Sequence, residues 1–175
     1  RVAEESRRLA ASVYENSSEA MVVTDADNII LNVNPAFSGL TGYSPAEAIG
    51  QTPAILNSGR HNRAFYQCMW QSLQDTGAWT GEIWNRRKNG EIYPEWLTIN
   101  SIYGESGALH RRVALFTDIT ERKQAEAALH ASEARFRGVF EKAYLGISIT
   151  SLDGVIVEAN DSLAKILGYQ RHELI

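Results

Sequence analysis

The chain has 175 residues, 44% of them hydrophobic, enough for one ordinary domain with a sizeable core and a remainder. Its 17 basic and 21 acidic residues leave a formal net charge of −4, and Arg86-Arg87-Lys88 is the one short basic run, so the electrostatic footprint of a nucleic-acid binder is missing. The single cysteine, Cys68, excludes an internal disulfide and a cysteine-based zinc cluster, and no stretch reaches the roughly 18–20 apolar residues of a membrane span; a cytoplasmic setting is expected, with any membrane anchor outside this sequence.

Residues 1–14 open with a charged stretch that no apolar run follows, so they are predicted as a helix and not a signal peptide. Residues 20–24 and 29–33 are apolar or β-branched runs around the turn-forming Asp25-Ala26-Asp27-Asn28, the pattern of a hairpin. Asn34 is placed to cap a helix with Pro35 at its first position and an end near Gly42, and Ser44-Pro45 opens a second short helix in the same way. Residues 62–73 carry Phe65, Met69 and Leu73 at helical spacing before Asp75-Thr76-Gly77 interrupts them. Three antiparallel strands follow at about 79–87, 91–102 and 111–117. Asp118-Ile119-Thr120 then caps a connecting helix over 121–137, rich in Ala, Glu and Lys and free of Gly and Pro until Gly138.

Residues 13–49 align without gaps on residues 139–175, with ten of the 37 positions identical, among them Thr24/Thr150, Asp27/Asp153, Asn34/Asn160 and Gly42/Gly168. The chain therefore holds one full unit, 15–120, and the opening of a second, 138–175, whose remaining elements are missing and which is expected to be partly disordered or exposed.

In the predicted hairpin, a three-residue turn Lys88-Asn89-Gly90 pairs Asn85 with Tyr93 and Ile83 with Glu95. The strand period of two puts Trp79, Gly81, Ile83 and Asn85 on one face with Tyr93, Glu95, Leu97 and Ile99, while Trp84, Pro94 and Trp96 point the other way. If the first face is the core, Asn85 and Glu95 are polar groups aimed inward. Each then needs a partner: a ligand, a helix terminus or water.

The segments NPAF-x-x-LTGY at 34–43, W-x-GE-x-WNRRKNGE-x-Y at 79–93 and FTDIT at 116–120 resemble the PAS fold with its C-terminal PAC motif. The resemblance implies an α+β fold: a five-stranded antiparallel sheet with short helices on one face, a pocket between them, and flanking N-terminal and C-terminal linker helices. Flavin-binding PAS domains of redox sensors show a similar arrangement, which implies FAD against Trp70 and Asn85, with Glu95 and Ile83 also at the cofactor. PAS domains of cyclic-di-GMP synthases and phosphodiesterases look equally similar and imply no ligand. The adduct-forming cysteine of light-sensing relatives has no counterpart in Gln51-Thr52-Pro53-Ala54-Ile55-Leu56, and Cys68 reads as a packed thiol. His61 is the one candidate haem ligand and reads as a helix-start residue. No nucleophile–base pair or phosphate-binding loop supports an enzyme.

By the same resemblance, Asp118, Ile119 and Thr120 join the last strand to a signalling helix. Trp84 and Trp96 share the outer sheet face and are expected to pack on the N-terminal helix or on a second copy, as in a homodimer. The expected function is a sensory and relay module of a larger signalling protein, a diguanylate cyclase or phosphodiesterase or a histidine kinase, with its effector domain elsewhere in the same protein. The rival is a ligand-free interaction module whose pocket is filled by Trp70, Phe65, Ile83 and Leu97.

Overall fold

The computed structural model describes residues 2–175; Arg1, where the expected N-terminal helix begins, lies outside the described residues. The chain divides into two compact units at Glu121/Arg122. A helix α1, Val2–Asn16, opens the first. A hairpin follows, β1 (Ala20–Asp25) and β2 (Ile30–Val33), then the short helices α2 (Pro35–Thr41) and α3 (Pro45–Ala48), a 3-10 turn at Pro53–Leu56, and the longer α4, Arg63–Thr76. Strands β3 (Ala78–Arg86), β4 (Ile92–Tyr103) and β5 (Leu109–Asp118) complete an antiparallel five-stranded sheet of order β2-β1-β5-β4-β3.

Local chemistry places these elements. Asn34 and Asn62 cap α2 and α4 by accepting the backbone N–H of Phe37 and Phe65. α4 runs on past Leu73 to Thr76, because Asp75 and Thr76 tolerate helix and the break waits for Gly77, whose φ of +74° only glycine adopts freely. The Lys88-Asn89-Gly90 turn closes as expected, with Gly90 at φ +93° and the Arg87 N–H on the Glu91 carbonyl at 2.9 Å. Asn85 faces Tyr93 and Ile83 faces Glu95.

The core lies between the sheet and the helices, around Val22, Ile30, Phe37, Ile83 and Phe116, with Phe37 fully buried edge-on to Phe116. Burial of such a ring contributes about 2–3 kcal/mol. On α4 the inward stripe is Met69 and Leu73, so Cys68 falls on the outer side. Its thiol is exposed, not packed as the sequence suggested.

Asn34 is also a structural hub. Its Oδ1 accepts from Met21 and Phe37, and its Nδ2 donates to the carbonyls of Glu19 and Tyr14, so all four amide bonds are used at 0% exposure. The Tyr14 bond ties α1 to the domain.

The second unit repeats this arrangement. A helix α5, Thr120–Lys142, leads into β6 (Ser148–Thr150), β7 (Ile156–Ala159), α6 (Asp161–Leu167) and α7 (Arg171–Leu174). Asn160 accepts from Ile147 and Leu163 and donates to Leu145 and Phe140, each partner being the counterpart of an Asn34 partner. Helix α5 continues through Gly138, past its expected end at Arg137. One interior glycine costs about 1 kcal/mol, whereas ending the helix there would give up the burial of Phe140 and its bond to Asn160.

Candidate functional site

Between α4, the 3-10 turn and the inner face of the sheet lies a cavity of about 220 Å³. Its walls are mostly apolar, with Met69 and Trp70 from α4, Leu56 from the turn, and Val22, Ile83, Leu97 and Phe116 from the sheet. Polar groups border it too: Asn85 and Glu95 of the hairpin, and Thr24 and Arg112 on β1 and β5. Of the residues expected at a cofactor, Trp70, Ile83, Asn85 and Glu95 all line this cavity. Phe65 is not in its lining; it stacks on His61 at 3.9 Å and meets Trp79 edge-on.

The two inward polar groups satisfy each other. Asn85 Nδ2 donates to Glu95 Oε1 at 2.8 Å, and the Tyr93 hydroxyl donates to Glu95 Oε2 at 2.7 Å. Tyr93 was legible as sharing their face, two residues before Glu95, but not as the donor that completes the carboxyl's bonding. Burial pushes the Glu95 carboxyl up to about 7, against the opposing pull of the Tyr93 and Asn85 hydrogen bonds. Burial, with Glu95 beside it, also raises the Tyr93 phenol well above its ordinary range.

From this cluster contacts run to the end of the sheet. The Arg87 guanidinium lies over the Tyr93 ring, 3.9 Å from its centroid, and donates to the Leu40 carbonyl and to the Asp118 carboxylate. Asp118 faces Glu95 across β4 and β5 and accepts the Thr120 N–H at 2.7 Å, at the first turn of α5. Although burial opposes it, hydrogen bonds from Thr120 and Arg87 hold the Asp118 carboxyl below its usual range. Ile119 is buried between them, its N–H on the Pro94 carbonyl.

On the outer face the tryptophan pair was expected to pack on the N-terminal helix or on a second copy, and α1 instead lies against α2. Trp84 and Trp96 are diagonal neighbours, Trp84 facing Pro94 and Trp96 facing Glu82. Arg60 lies over the Trp84 ring at 4.0 Å, and the Trp84 N–H and carbonyl are held by His61 Nε2 and the Ser58 hydroxyl. His61 thus closes the edge of β3. Trp96 remains 45% exposed.

The strand order, the helices on one face and the pocket between them define a PAS-type module, and the chain belongs to the PAS domain family: family models described as PAS domain match residues 18–121 and again 134–175. Over 109 residues it is 36% identical to a nitrogen fixation regulatory protein of Klebsiella oxytoca, covering 62% of this chain and 22% of that one. It is 30% identical over 136 residues to the sensor histidine kinase TmoS of Ectopseudomonas mendocina, covering 77% of this chain and 14% of that one. The PAS domain crystal structure from Colwellia psychrerythraea superposes with a TM-score of 0.62 at 29% identity, over 66% of this chain and 98% of that one. The chain thus spans 22% or less of these two relatives' lengths, and they are regulatory and sensor proteins. No described helix is long and apolar enough to cross a membrane.

Proposed function

We propose that residues 15–120 are the signal-input domain of a larger cytoplasmic signalling protein, in which the cavity holds a planar ring ligand and its state passes from Asn85 and Glu95 to Asp118, Ile119 and Thr120 and into the helix of 121–137. The observation that carries this reading is the unbroken set of contacts, from a buried carboxyl at the cavity through Tyr93 and Arg87 to the first turn of α5.

FAD is the specific candidate, and the residues fit its ring. Asn85 and Glu95 set an amide beside a carboxyl that holds its proton near neutrality, matching the alternating donors and acceptors on one edge of an isoalloxazine, and Trp70 offers an aromatic wall. A flavin bound there would supply reversible redox chemistry. The chain's own part would be to orient the ring, to exclude water, and to hold or release a proton at Glu95. The output domain is proposed to be a histidine kinase, a reading the kinase relative supports, or alternatively a cyclic-di-GMP synthase or phosphodiesterase. Catalysis would then belong to that domain and not to this module. A homodimer through the helices and the outer face of Trp84 and Trp96 completes the proposal.

One observation favours a second reading, a ligand-free interaction module. Both Glu95 oxygens are already satisfied by Asn85 and Tyr93, so the fold needs no ligand to hold them. An absorption spectrum of the purified protein, repeated on the supernatant after heat denaturation, separates the two. Flavin bands released by heat support the sensor. A featureless visible spectrum after incubation with FAD and removal of the unbound flavin removes the flavin reading and leaves either the interaction module or a pocket for a colourless small molecule.

A further inference from the structure

We infer that Arg112 and Thr24 form an anion-binding end of the cavity, so that its ligand is an elongated molecule with an apolar or aromatic body and an anionic oxygen group, a carboxylate or a phosphate ester. The inference rests on the reading that the cavity takes a ligand. Thr24 and Arg112 are directly opposite each other on β1 and β5, in line with the pairs Val22/Ala114 and Ala20/Phe116, and so share the inner face of the sheet with them. The Arg112 side chain is half-buried, with the end that bonds Ala26 exposed and its Nε buried, and a buried N–H calls for an acceptor. Yet only one carbonyl, that of Ala26, accepts from it, at 3.2 Å, and no carboxylate among the described residues pairs with it.

Arg112 Nε and Thr24 Oγ1 are both buried without a hydrogen-bond partner, and both residues border the cavity. The guanidinium lies 5.2 Å from the centroid of the Trp70 ring, a cation–aromatic contact that leaves its Nε–H free for an acceptor. Two unmet donors on directly opposite residues, one of them charged, suit an oxyanion. The Glu95 rung of the sheet is opposite Asp118 and the Arg112 rung opposite Ser101. At about 3.3 Å per residue, those rungs lie about 20 Å apart along β5. One end of the cavity thus offers an amide and a carboxyl and the other a cation, with an apolar wall between, which selects an elongated ligand over a compact one.

Paired probes that differ only in the anion test this, with titration calorimetry on the full chain at fixed ionic strength. Flavin mononucleotide against riboflavin tests a phosphate ester; decanoate against 1-decanol tests a carboxylate. In at least one pair the anionic member is expected to bind about ten- to a hundredfold more tightly, the range of a charge-assisted hydrogen bond. Arg112→Gln should remove that preference while leaving the neutral member's affinity within about twofold, and Thr24→Val, which keeps the volume, should reduce it in part. The pair that shows the preference identifies the anion. Neutral and anionic probes binding alike to all three proteins would overturn the anion end and leave the ligand-binding reading standing. Failure of every probe to bind would overturn both.

Discussion

Replacing Glu95 by Gln keeps the size and the hydrogen-bonding reach of the side chain and removes its titration. A carboxyl moved from its ordinary 4.5 to about 7 holds a proton in the native state that the unfolded chain has released over the interval between. Below about pH 4.5 both states are protonated and no difference arises. Between about 4.5 and 7 the native state binds more protons than the unfolded one, so this group makes wild-type stability fall as pH rises, and above about pH 7 the cost is complete. At about 1.4 kcal/mol per pH unit, that interval amounts to about 3 kcal/mol. Glu95→Gln should therefore gain on the wild type by up to about 3 kcal/mol from pH 5 to pH 8. Burial of His61 lowers its pKa and produces the opposite slope below its ordinary 6.5, but it is common to both proteins and cancels in the difference. All four tryptophans lie in the first unit, so urea unfolding followed by tryptophan fluorescence on the full chain reads that unit alone. Two stability curves that stay parallel across pH 5–8 would refute the argument that Glu95 is the buried titrating group.

Tyr93→Phe leaves one oxygen of the buried carboxyl without its donor and should cost about 1–3 kcal/mol; because that hydrogen bond opposes the effect of burial, an NMR titration of the Glu95 side chain should show its pKa move further above 7. Asp118→Asn keeps an acceptor for the Thr120 N–H but loses the charge that faces Arg87, and should speed amide exchange in the first turn of α5 with a stability loss of about 1 kcal/mol; unchanged exchange there would break the relay at its last contact. Trp96→Ser should weaken self-association in sedimentation equilibrium, and because more than half of the side chain is covered within the domain it should also cost about 1–2 kcal/mol of unfolding stability. Equal association of variant and wild type would remove the outer face from the proposed interface.

The hairpin was legible because its turn length fixes its register: once Lys88-Asn89-Gly90 closes the turn, Asn85, Tyr93 and Glu95 have no choice of face. The repeat was legible because the same four-bond hub must be built twice. The cavity was harder to read, since its volume depends on how far α4 stands from the sheet, a distance that no local pattern encodes. Arg112 gave no signal at all. It sits beside Arg111 in a strand whose inward face appears only when β5 is paired with β1, and without that pairing two arginines read as surface. The exposed Cys68 and the passage of α5 through Gly138 were missed for one reason: in both helices tertiary burial, of Met69 and Leu73 in α4 and of Phe140 in α5, settled what local propensity left open.

The two asparagine hubs bear on how firmly each helix is moored. Three of the four bonds at Asn34 stay within the domain that follows α1, and only the one to the Tyr14 carbonyl, at 3.2 Å, reaches the helix; Asn160 holds the Phe140 carbonyl of α5 by a single bond in the same way. A bond of that kind is worth about 1 kcal/mol net. At α5 that bond acts beside the buried Phe140 ring and the ion pair of Arg171 with Glu141, so the polar latch is the weakest part of the mooring: it can open alone while the other three bonds of the hub keep the domain behind it in shape, a clutch plate that slips before the gearbox comes apart.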